Sequence, residues 1–195
     1  MPAAASELLV ADAAAWRRWL RAHHPEEGGV LLVLAKKGTT DPTSLTYDEA
    51  LEAALSFGWI DGQVRRRDER TYLQRFTPRR ARSTWSKRNT GIAERLIAEG
   101  RMHAAGLAEV ERAKADGRWE AAYAGAASIE VPPDLLAALA PRPRARAAFE
   151  RLSGQNRYSV LYRIAAAKRP ETRARRIEAF VEQLERGETP HPQRG

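Results

Sequence analysis

The pattern of apolar and polar positions divides the chain into helical and extended stretches. In the segment 12–23, large apolar side chains recur three and four residues apart behind Asp12, which predicts a capped helix. An uninterrupted apolar run at 30–37 predicts a buried strand. The pair Thr46 and Glu49 forms a capping-box pattern, in which each side chain can satisfy a free amide, and it predicts a second helix over 47–57.

Two extended segments follow, 58–66 and 70–77, and the charged stretch Arg-Asp-Glu-Arg at their junction, 67–70, predicts a β-hairpin. Beyond the hairpin the apolar spacing predicts six further helices, over 86–99, 103–115, 133–140, 143–151, 153–167 and 171–186. Glycine and proline interrupt 117–133, so we expect an N-terminal lobe, 1–117, and a helical C-terminal lobe, 118–195, packed as one unit. The predicted fold class is α+β, with a small three-stranded, mainly antiparallel sheet flanked by helices and followed by a helical lobe.

Charge adds one feature to this picture. The formal net charge is +8, and between Val64 and Thr90 ten arginines and lysines stand against two acids, so this window carries the whole surplus. A concentrated basic segment favours an anionic partner. The chain has no cysteine, and therefore no disulfide or thiolate metal site. It also lacks a signal-peptide pattern and any membrane-spanning apolar run, so we expect a soluble, cytoplasmic protein.

The hairpin carries a candidate site. If the turn centres on Asp68–Glu69, the strands pair with Gln63 opposite Gln74, and alternate side chains share a face. One face then combines aromatic walls with an acid and two amides, as in a small-molecule pocket: Trp59, Asp61, Gln63, Tyr72, Gln74 and Phe76. The other face is the predicted core face, with Ile60, Val64 and Leu73. In the alternative, a helix covers the first face, and backbone groups or Arg75 satisfy its polar side chains.

The segment after the hairpin, 77–89, predicts an anion-binding loop. It combines guanidinium groups, hydroxyls, a tryptophan and a helix start, where free N–H groups attract anions. Arginine can hold phosphate or carboxylate through two parallel hydrogen bonds. The predicted ligand contacts of this region are Arg75, Arg79, Arg80, Trp85, Lys87 and Arg88, and Arg82 could also hold an anion. The alternative is a solvated basic loop whose tryptophan packs in the core and whose serines cap the helix.

Two other functions stay open on the sequence alone. The arginines of the segment Arg65–Arg88 could neutralise phosphates while neighbouring aromatic rings stack on bases, as in a non-specific nucleic-acid-associated protein. Asp61 is a weak candidate for a catalytic base. The four histidines lack metal-ligand spacing, and the chain has neither a GxSxG elbow nor a P-loop. The sequence therefore predicts no cofactor and no metal, and it favours a protein without catalytic activity.

Six stretches carry a family resemblance: KKG (36–38), LTYDEALEAALSFGWIDGQ (45–63), RTYLQRFTPRRARSTWSKRN (70–89), AEGRM (98–102), DGRWEAAY (116–123) and SGQNRYSVLYRIAAAKRPETRARRIEAF (153–180). Through them the chain resembles the bacteriocin-protection family, also labelled YdeI/OmpD-associated, from about Trp16 to Pro192. The resemblance implies a role in tolerance to bacteriocins or antimicrobial peptides, or an association with an outer-membrane porin. We therefore expect a cofactor-free binder of an anionic ligand, held between the sheet face and the 79–88 loop and linked to stress tolerance.

Overall fold

The computed structural model describes residues 6–26, 28–125 and 129–192. The chain packs into two units, Met1–Ala122 and Tyr123–Gly195. Trp119 lies beyond the predicted boundary after 117, yet it packs against the core of the first unit. The sequence-based division and the expectation that the lobes pack as one unit stay predictions.

The first unit combines a sheet with helices, so the α+β class is confirmed. Its described elements are β1 (Glu7–Leu8), α1 (Ala13–His23), β2 (Val30–Ala35), α2 (Tyr47–Ser56), β3 (Trp59–Arg66), β4 (Thr71–Pro78), α3 (Lys87–Ala98) and α4 (Ala104–Ala115). The sheet order is β1-β2-β4-β3, with β1 parallel to β2 and the other neighbours antiparallel. It thus has four strands rather than the predicted three. The additional strand, β1, is two residues long, too short for its alternation to be recognised in the sequence.

Each helix of the first unit begins at a residue whose side chain caps a free amide. The Asp12 carboxylate accepts from the Ala15 amide at 2.7 Å. The predicted capping box is present, since the Thr46 hydroxyl accepts from the Glu49 amide and the Glu49 carboxylate accepts from the Thr46 amide. The side chains of Ser86 and His103 cap α3 and α4 in the same way. These caps fix where the helices start, and with them the positions of the residues in each first turn.

Buried tryptophans organise the core of the first unit. The indole of Trp16 donates to the Ala50 carbonyl at 3.1 Å, which joins α1 to α2. The indole of Trp59 donates to the His24 carbonyl at 3.0 Å, which joins β3 to the end of α1. Since a buried N–H group is costly without an acceptor, these bonds hold each ring in one orientation. The helices α1 and α2 are thereby held against one face of the sheet.

The second unit is helical, as the sequence predicts. Its described helices are α5 (Pro133–Leu139), α6 (Pro143–Glu150), α7 (Gly154–Ala165) and α8 (Pro170–Glu185). Three of them start at proline, which suits the first helical position, and the fourth starts after a capping serine, Ser153. The core is mainly aliphatic, with Phe149 and Phe180 as its buried rings. An ion pair between Arg173 and Asp134 joins the start of α8 to the start of α5.

Candidate functional site

A β-bulge interrupts the predicted register of the hairpin. Asp61 pairs with Phe76, as the expected turn position requires. The register then shifts by one residue, so that Val64 rather than Gln63 lies opposite Gln74. A shift of one residue moves every following side chain of the strand to the other face. The predicted pairing of Gln63 with Gln74 is therefore wrong, and Gln63 leaves the candidate face.

The face that carries Trp59 is covered by helices. Trp59, Gln74 and Phe76 are exposed by only 1%, 2% and 0%. The Trp16 ring of α1 lies against both aromatic rings, at centroid distances of 6.4 and 5.7 Å. The Gln74 amide donates to the Gly62 carbonyl at 2.7 Å, so the bulge supplies the acceptor that this buried side chain needs. A ligand has no access to these three side chains, and the helix-covered alternative describes this part of the face.

The two faces of the hairpin exchange their expected roles. Val64 was expected in the core beside Leu73, but the bulge moves it to the Gln74 side of the hairpin, where it is 63% exposed. Leu73 is buried with Leu31 and Val33, but these three form a separate small cluster. The main core lies on the Trp59 side, where α1 and α2 pack. The helices decide which face becomes the interior, and the apolar pattern of the strands alone does not contain that information.

A polar cluster lies where the covered face meets the first turns of α2 and α3. The Tyr47 hydroxyl donates to Asp61 Oδ2 at 3.0 Å. The guanidinium carbon of Arg88 lies 5.1 Å from the centre of the Tyr47 ring, and Arg88 donates to Asp48 Oδ1 at 2.6 Å. Tyr47 and Asp48 are the first two residues of α2, so the capping box that starts this helix also positions the cluster.

Two phenols of this region are held in their protonated form. Burial, followed by the charge of Asp61 and its hydrogen bond, raises the pKa of Tyr47 above its usual value. Burial, followed by the charge of Asp48, raises the pKa of Tyr72. The cluster therefore combines hydrogen-bond donors with two carboxylates and a single guanidinium. Because the two carboxylates outweigh the one cation, the cluster itself disfavours a bound anion.

Arg79 and Trp85 belong to the interior, which corrects their predicted role as ligand contacts. They are exposed by 5% and 1%. The guanidinium carbon lies 3.5 Å from the centre of the indole, and Nη1 donates to the Thr84 carbonyl at 3.1 Å. The indole also packs against Trp119 at a centroid distance of 4.9 Å. A desolvated cation over an indole contributes about 2 kcal/mol, so this contact fastens the loop to the core of the first unit.

Half of the ten cations in the basic window are exposed and have no carboxylate of the described residues within ion-pair distance. These five are Arg65, Arg66, Arg80, Arg82 and Lys87. The other five interact within the protein: Arg67, Arg70 and Arg88 with carboxylates, Arg75 with the Gly28 carbonyl and Arg79 with Trp85. Uncompensated positive charge therefore remains at positions that solvent and partners can reach.

The exposed cations form two separate patches. We call them the hairpin patch, Arg65 and Arg66, and the loop patch, Arg80, Arg82 and Lys87. Arg66 lies opposite Tyr72 near the start of β4, whereas the loop patch follows Pro78 at the end of that strand. With a rise of about 3.3 Å per residue, the six steps from Tyr72 to Pro78 span about 20 Å. A small anion can contact one patch but not both.

A second polar site, which the sequence analysis missed, lies between α1 and α2. It is a cavity of about 380 Å³ lined by Ala13, Ala14, Arg17, Asp48, Glu49, Glu52, Ala53 and Arg101. Burial acts to raise the pKa of Glu52, but hydrogen bonds and charges from Arg95 and Arg101 lower it overall. Arg17 donates to the Arg101 carbonyl at 2.8 Å. These polar groups satisfy one another, so the network ties the α3–α4 connection to α1 and α2.

The structure separates the predicted site residues into three groups. Four are buried in the core: Trp59, Gln74, Arg79 and Trp85. Three border the polar cluster: Asp61, Tyr72 and Arg88. The remaining four are exposed or half-buried elsewhere: Gln63, Arg75, Arg80 and Lys87. They do not form one site, and of the two neighbours expected for Asp61 as a catalytic base, Tyr72 borders the cluster and Gln63 does not.

Tyr47 and Asp48 are the cluster residues that the sequence analysis did not select. The Tyr47 hydroxyl reaches Asp61, which is fourteen residues away in the chain. The available signal was the capping box, which places both residues in the first turn of α2. That signal gives position along the helix, and the contact to β3 follows only from tertiary packing.

Two different family models match the chain, one in each unit. Residues 8–109 match a domain of unknown function, DUF8412. Residues 128–187 match the family described as bacteriocin-protection, YdeI or OmpD-associated. The first match spans just over half of the chain, which therefore belongs to the DUF8412 family, and the segment 128–187 is similar to the second family. The second match confirms the resemblance found in the sequence and contains one of its six stretches, 153–180. No curated protein and no solved structure matches the chain.

The bacteriocin-protection, YdeI or OmpD-associated match says nothing about the first unit. The polar cluster and both basic patches lie within the DUF8412 match, whose description carries no function. No helix of the described ranges is both long enough and apolar enough to cross a membrane. Within residues 6–26, 28–125 and 129–192, no three carboxylate or imidazole groups converge as a metal site requires. The chemistry of the first unit therefore follows from its own geometry.

Proposed function

We propose that the protein binds an anionic ligand without transforming it, through the loop patch of its first unit. The setting suggested by the family is protection against bacteriocins or related antimicrobial stress. The observation that carries the proposal is the set of exposed cations that have no carboxylate partner among the described residues. Protein surfaces usually intersperse both signs of charge, so a one-sided patch attracts anions.

The loop patch is favoured over the hairpin patch because its backbone is anchored on both sides. Arg79 and Trp85 hold the two ends of the loop in the core through their stacked contact. Within it, the Arg80 amide donates to the Ser83 hydroxyl at 2.9 Å, and the Ser83 amide returns a bond to the Arg80 carbonyl. An anchored loop loses less conformational freedom on binding, which favours affinity.

A second candidate function is non-specific association with a nucleic acid. The separation of about 20 Å between the two patches favours it, because an extended polyanion can contact both at once. Three of the four rings expected to stack on bases, Trp59, Phe76 and Trp85, are buried and cannot reach them, which leaves the half-buried Tyr72. What remains is sequence-independent contact with phosphates.

Two double variants distinguish these functions. The probes are inorganic triphosphate, which can reach one patch, and a single-stranded DNA of about 20 nucleotides, which can reach both. We expect Arg80→Gln/Arg82→Gln to weaken triphosphate binding about 10-fold or more, and Arg65→Gln/Arg66→Gln to leave it nearly unchanged. Binding is measured by calorimetry for triphosphate and by fluorescence anisotropy for DNA, on the full chain.

The matched control is Arg112→Gln/Arg186→Gln, which removes the same charge from arginines that are already paired with carboxylates. It should leave triphosphate binding unchanged. If DNA binds with a steep salt dependence and both patch variants weaken it equally, the nucleic-acid function replaces the ligand function. If neither probe binds at about 150 mM salt, the proposal of an anion-binding protein is overturned.

A further inference from the structure

The second unit contains a cleft of about 330 Å³ among helices α5, α6 and α7. Its lining residues are Val131, Leu136, Leu139, Ala140, Arg146, Phe149, Glu150 and Arg157. Five of these eight are apolar. The volume lies at the small end of the range of about 300–1,000 Å³ that is typical of small-molecule sites. The cleft therefore has the size and the lining that suit a compact, mainly apolar ligand.

Leu136 gives the cleft an apolar wall that solvent reaches. It is 54% exposed, whereas Leu135 and Leu139 on the same helix are exposed by 0% and 2%. Burying a leucine side chain is favourable because it removes apolar surface from water. A ligand that covers the exposed part of Leu136 gains a share of that free energy. Leu139 and Phe149 are exposed by only 2% and 4%, and they form the base of the cleft beneath such a ligand.

Arg157 gives the rim of the cleft one uncompensated charge. Its guanidinium carbon lies 4.6 Å from the centre of the Phe149 ring, which holds the group beside the apolar lining. No carboxylate of the described residues lies within ion-pair distance of it. The other lining arginine, Arg146, is paired with Glu150 at 3.1 Å, so those two charges offset each other. The electrostatic preference of the cleft is therefore for a single negative charge at Arg157.

We propose that this cleft binds a compact apolar monocarboxylate. The apolar body lies against Leu136 and Leu139, and the carboxylate accepts hydrogen bonds from the guanidinium of Arg157. A guanidinium matches a carboxylate through two parallel hydrogen bonds, and the limited volume restricts the body to a medium-length acyl chain or one aromatic ring. The site lies in the second unit and does not depend on the anion-binding proposal for the first.

Calorimetric titration of the full chain with octanoate and with octanamide tests the proposal. The two probes share an apolar chain and differ in the charged head, so their ratio isolates the contribution of Arg157. We expect saturable octanoate binding at one site, about 10-fold or more tighter than octanamide. Arg157→Gln should remove this advantage while leaving octanamide binding unchanged, and Leu136→Gln should weaken both probes.

Two control variants match these changes away from the cleft. Arg186→Gln removes a cation from the same unit, and Leu107→Gln changes another exposed leucine, one that is 39% exposed. Neither should alter binding of either probe. The proposal is overturned if octanoate shows no saturable binding, or if octanoate and octanamide bind equally. It is overturned equally if Arg157→Gln folds as the parent does and keeps the preference for octanoate. The ratio of the two probes on the unaltered chain decides the question even if a variant fails to fold.

Discussion

The two units build their cores by different means. In the first unit three buried tryptophans, Trp16, Trp59 and Trp85, meet hydrogen-bond acceptors or a stacked guanidinium, and every described helix begins at a capping side chain. In the second unit the core is mainly aliphatic, and three of the four described helices begin at proline without a side-chain cap. Directional contacts dominate the first unit, and apolar packing dominates the second.

This difference changes what a residue type indicates about function. In the first unit, arginine and tryptophan are part of the core, so their presence in a basic segment does not by itself mark a binding surface. In the second unit few polar side chains are buried, Asn156 among them, and an apolar cleft with Arg157 at its rim stands out more clearly. All five tryptophans lie in the first unit, so tryptophan fluorescence reports its unfolding, while circular dichroism at helical wavelengths follows both units.

The largest expected effect comes from a close backbone approach in the first unit. A Cβ atom at Gly106 would lie 2.3 Å from the Ser56 carbonyl oxygen and 2.8 Å from Met102 Cε. Gly106→Ala should therefore lower the free energy of unfolding by about 1–3 kcal/mol or more, which outweighs the gain of about 1 kcal/mol in helix propensity. Guanidinium unfolding followed by tryptophan fluorescence measures the change.

The counterpart in the second unit is Gly154→Ala at the first residue of α7, where a Cβ atom would meet nothing within 4 Å. This variant should be neutral or stabilising by up to about 1 kcal/mol. If Gly106→Ala were as stable as the parent, α2 and α4 would be free to move apart. The close packing of these two helices would then not be required for stability.

The next effect compares two arginines that lie over aromatic rings. Arg79 is buried at 3.5 Å from the centre of Trp85, whereas Arg157 is half-buried at 4.6 Å from the centre of Phe149. Arg79→Met should lower the free energy of unfolding by about 2 kcal/mol, and Arg157→Met by at most about 0.5 kcal/mol. Denaturant titrations of the two variants give the comparison. Similar losses in both would contradict the assignment of Arg79 to the core and reopen it as a ligand contact.

The smallest effect concerns the pH dependence of a helix cap. His103 Nδ1 accepts from the Ala105 amide at 3.2 Å, and burial, followed by the charges of His24, Arg21 and Arg17, lowers the pKa of His103. His103 therefore binds a proton less readily in the folded state than in the unfolded chain, where its pKa is about 6.5. The cap's contribution is fully present above that value, and it is lost as the pH falls from there towards the lower folded-state pKa.

The variant His103→Asn keeps a capping side chain but does not titrate. Between about pH 7.5 and pH 5.5, the parent should lose more stability than the variant in urea unfolding followed by tryptophan fluorescence. In the second unit no histidine caps a described helix, so we expect no matching effect there. Identical pH profiles for the parent and His103→Asn would remove His103 as the source.

Much of the fold could be predicted because its signals are local. The capping box at Thr46 and the apolar spacing of α1 fixed two helices closely, and glycine or proline marked the ends of most others. The bulge after Asp61 could not be predicted in the same way. Gly62 permits an irregular backbone, but the shift of one residue depends on how β3 packs against β4 and α2. Its effect, the transfer of Val64 from the Leu73 side to the Gln74 side of the hairpin, therefore appears only in three dimensions.

The candidate site was predicted less well than the fold for the same reason. A basic window is visible in the sequence. The sequence does not show which of its ten cations are exposed, paired or buried, because that depends on contacts with residues far away in the chain. The burial of Arg79 depends on Trp85 and Trp119, and the pairing of Arg88 depends on Asp48, forty residues away. Arginine is rarely buried without such partners, so the sequence alone favours positions on the surface for the arginines of this window.

The β-bulge also bears on the behaviour of the protein at high concentration. β3 is an edge strand of the described sheet, and a regular edge strand can pair with the strand of another molecule. The bulge breaks the even row of N–H and C=O groups along that edge. Arg65 and Arg66 follow directly, and their charges repel the same edge of an approaching copy. The bulge therefore disfavours edge-to-edge aggregation, even though the apolar side chain of Val64 is exposed beside it.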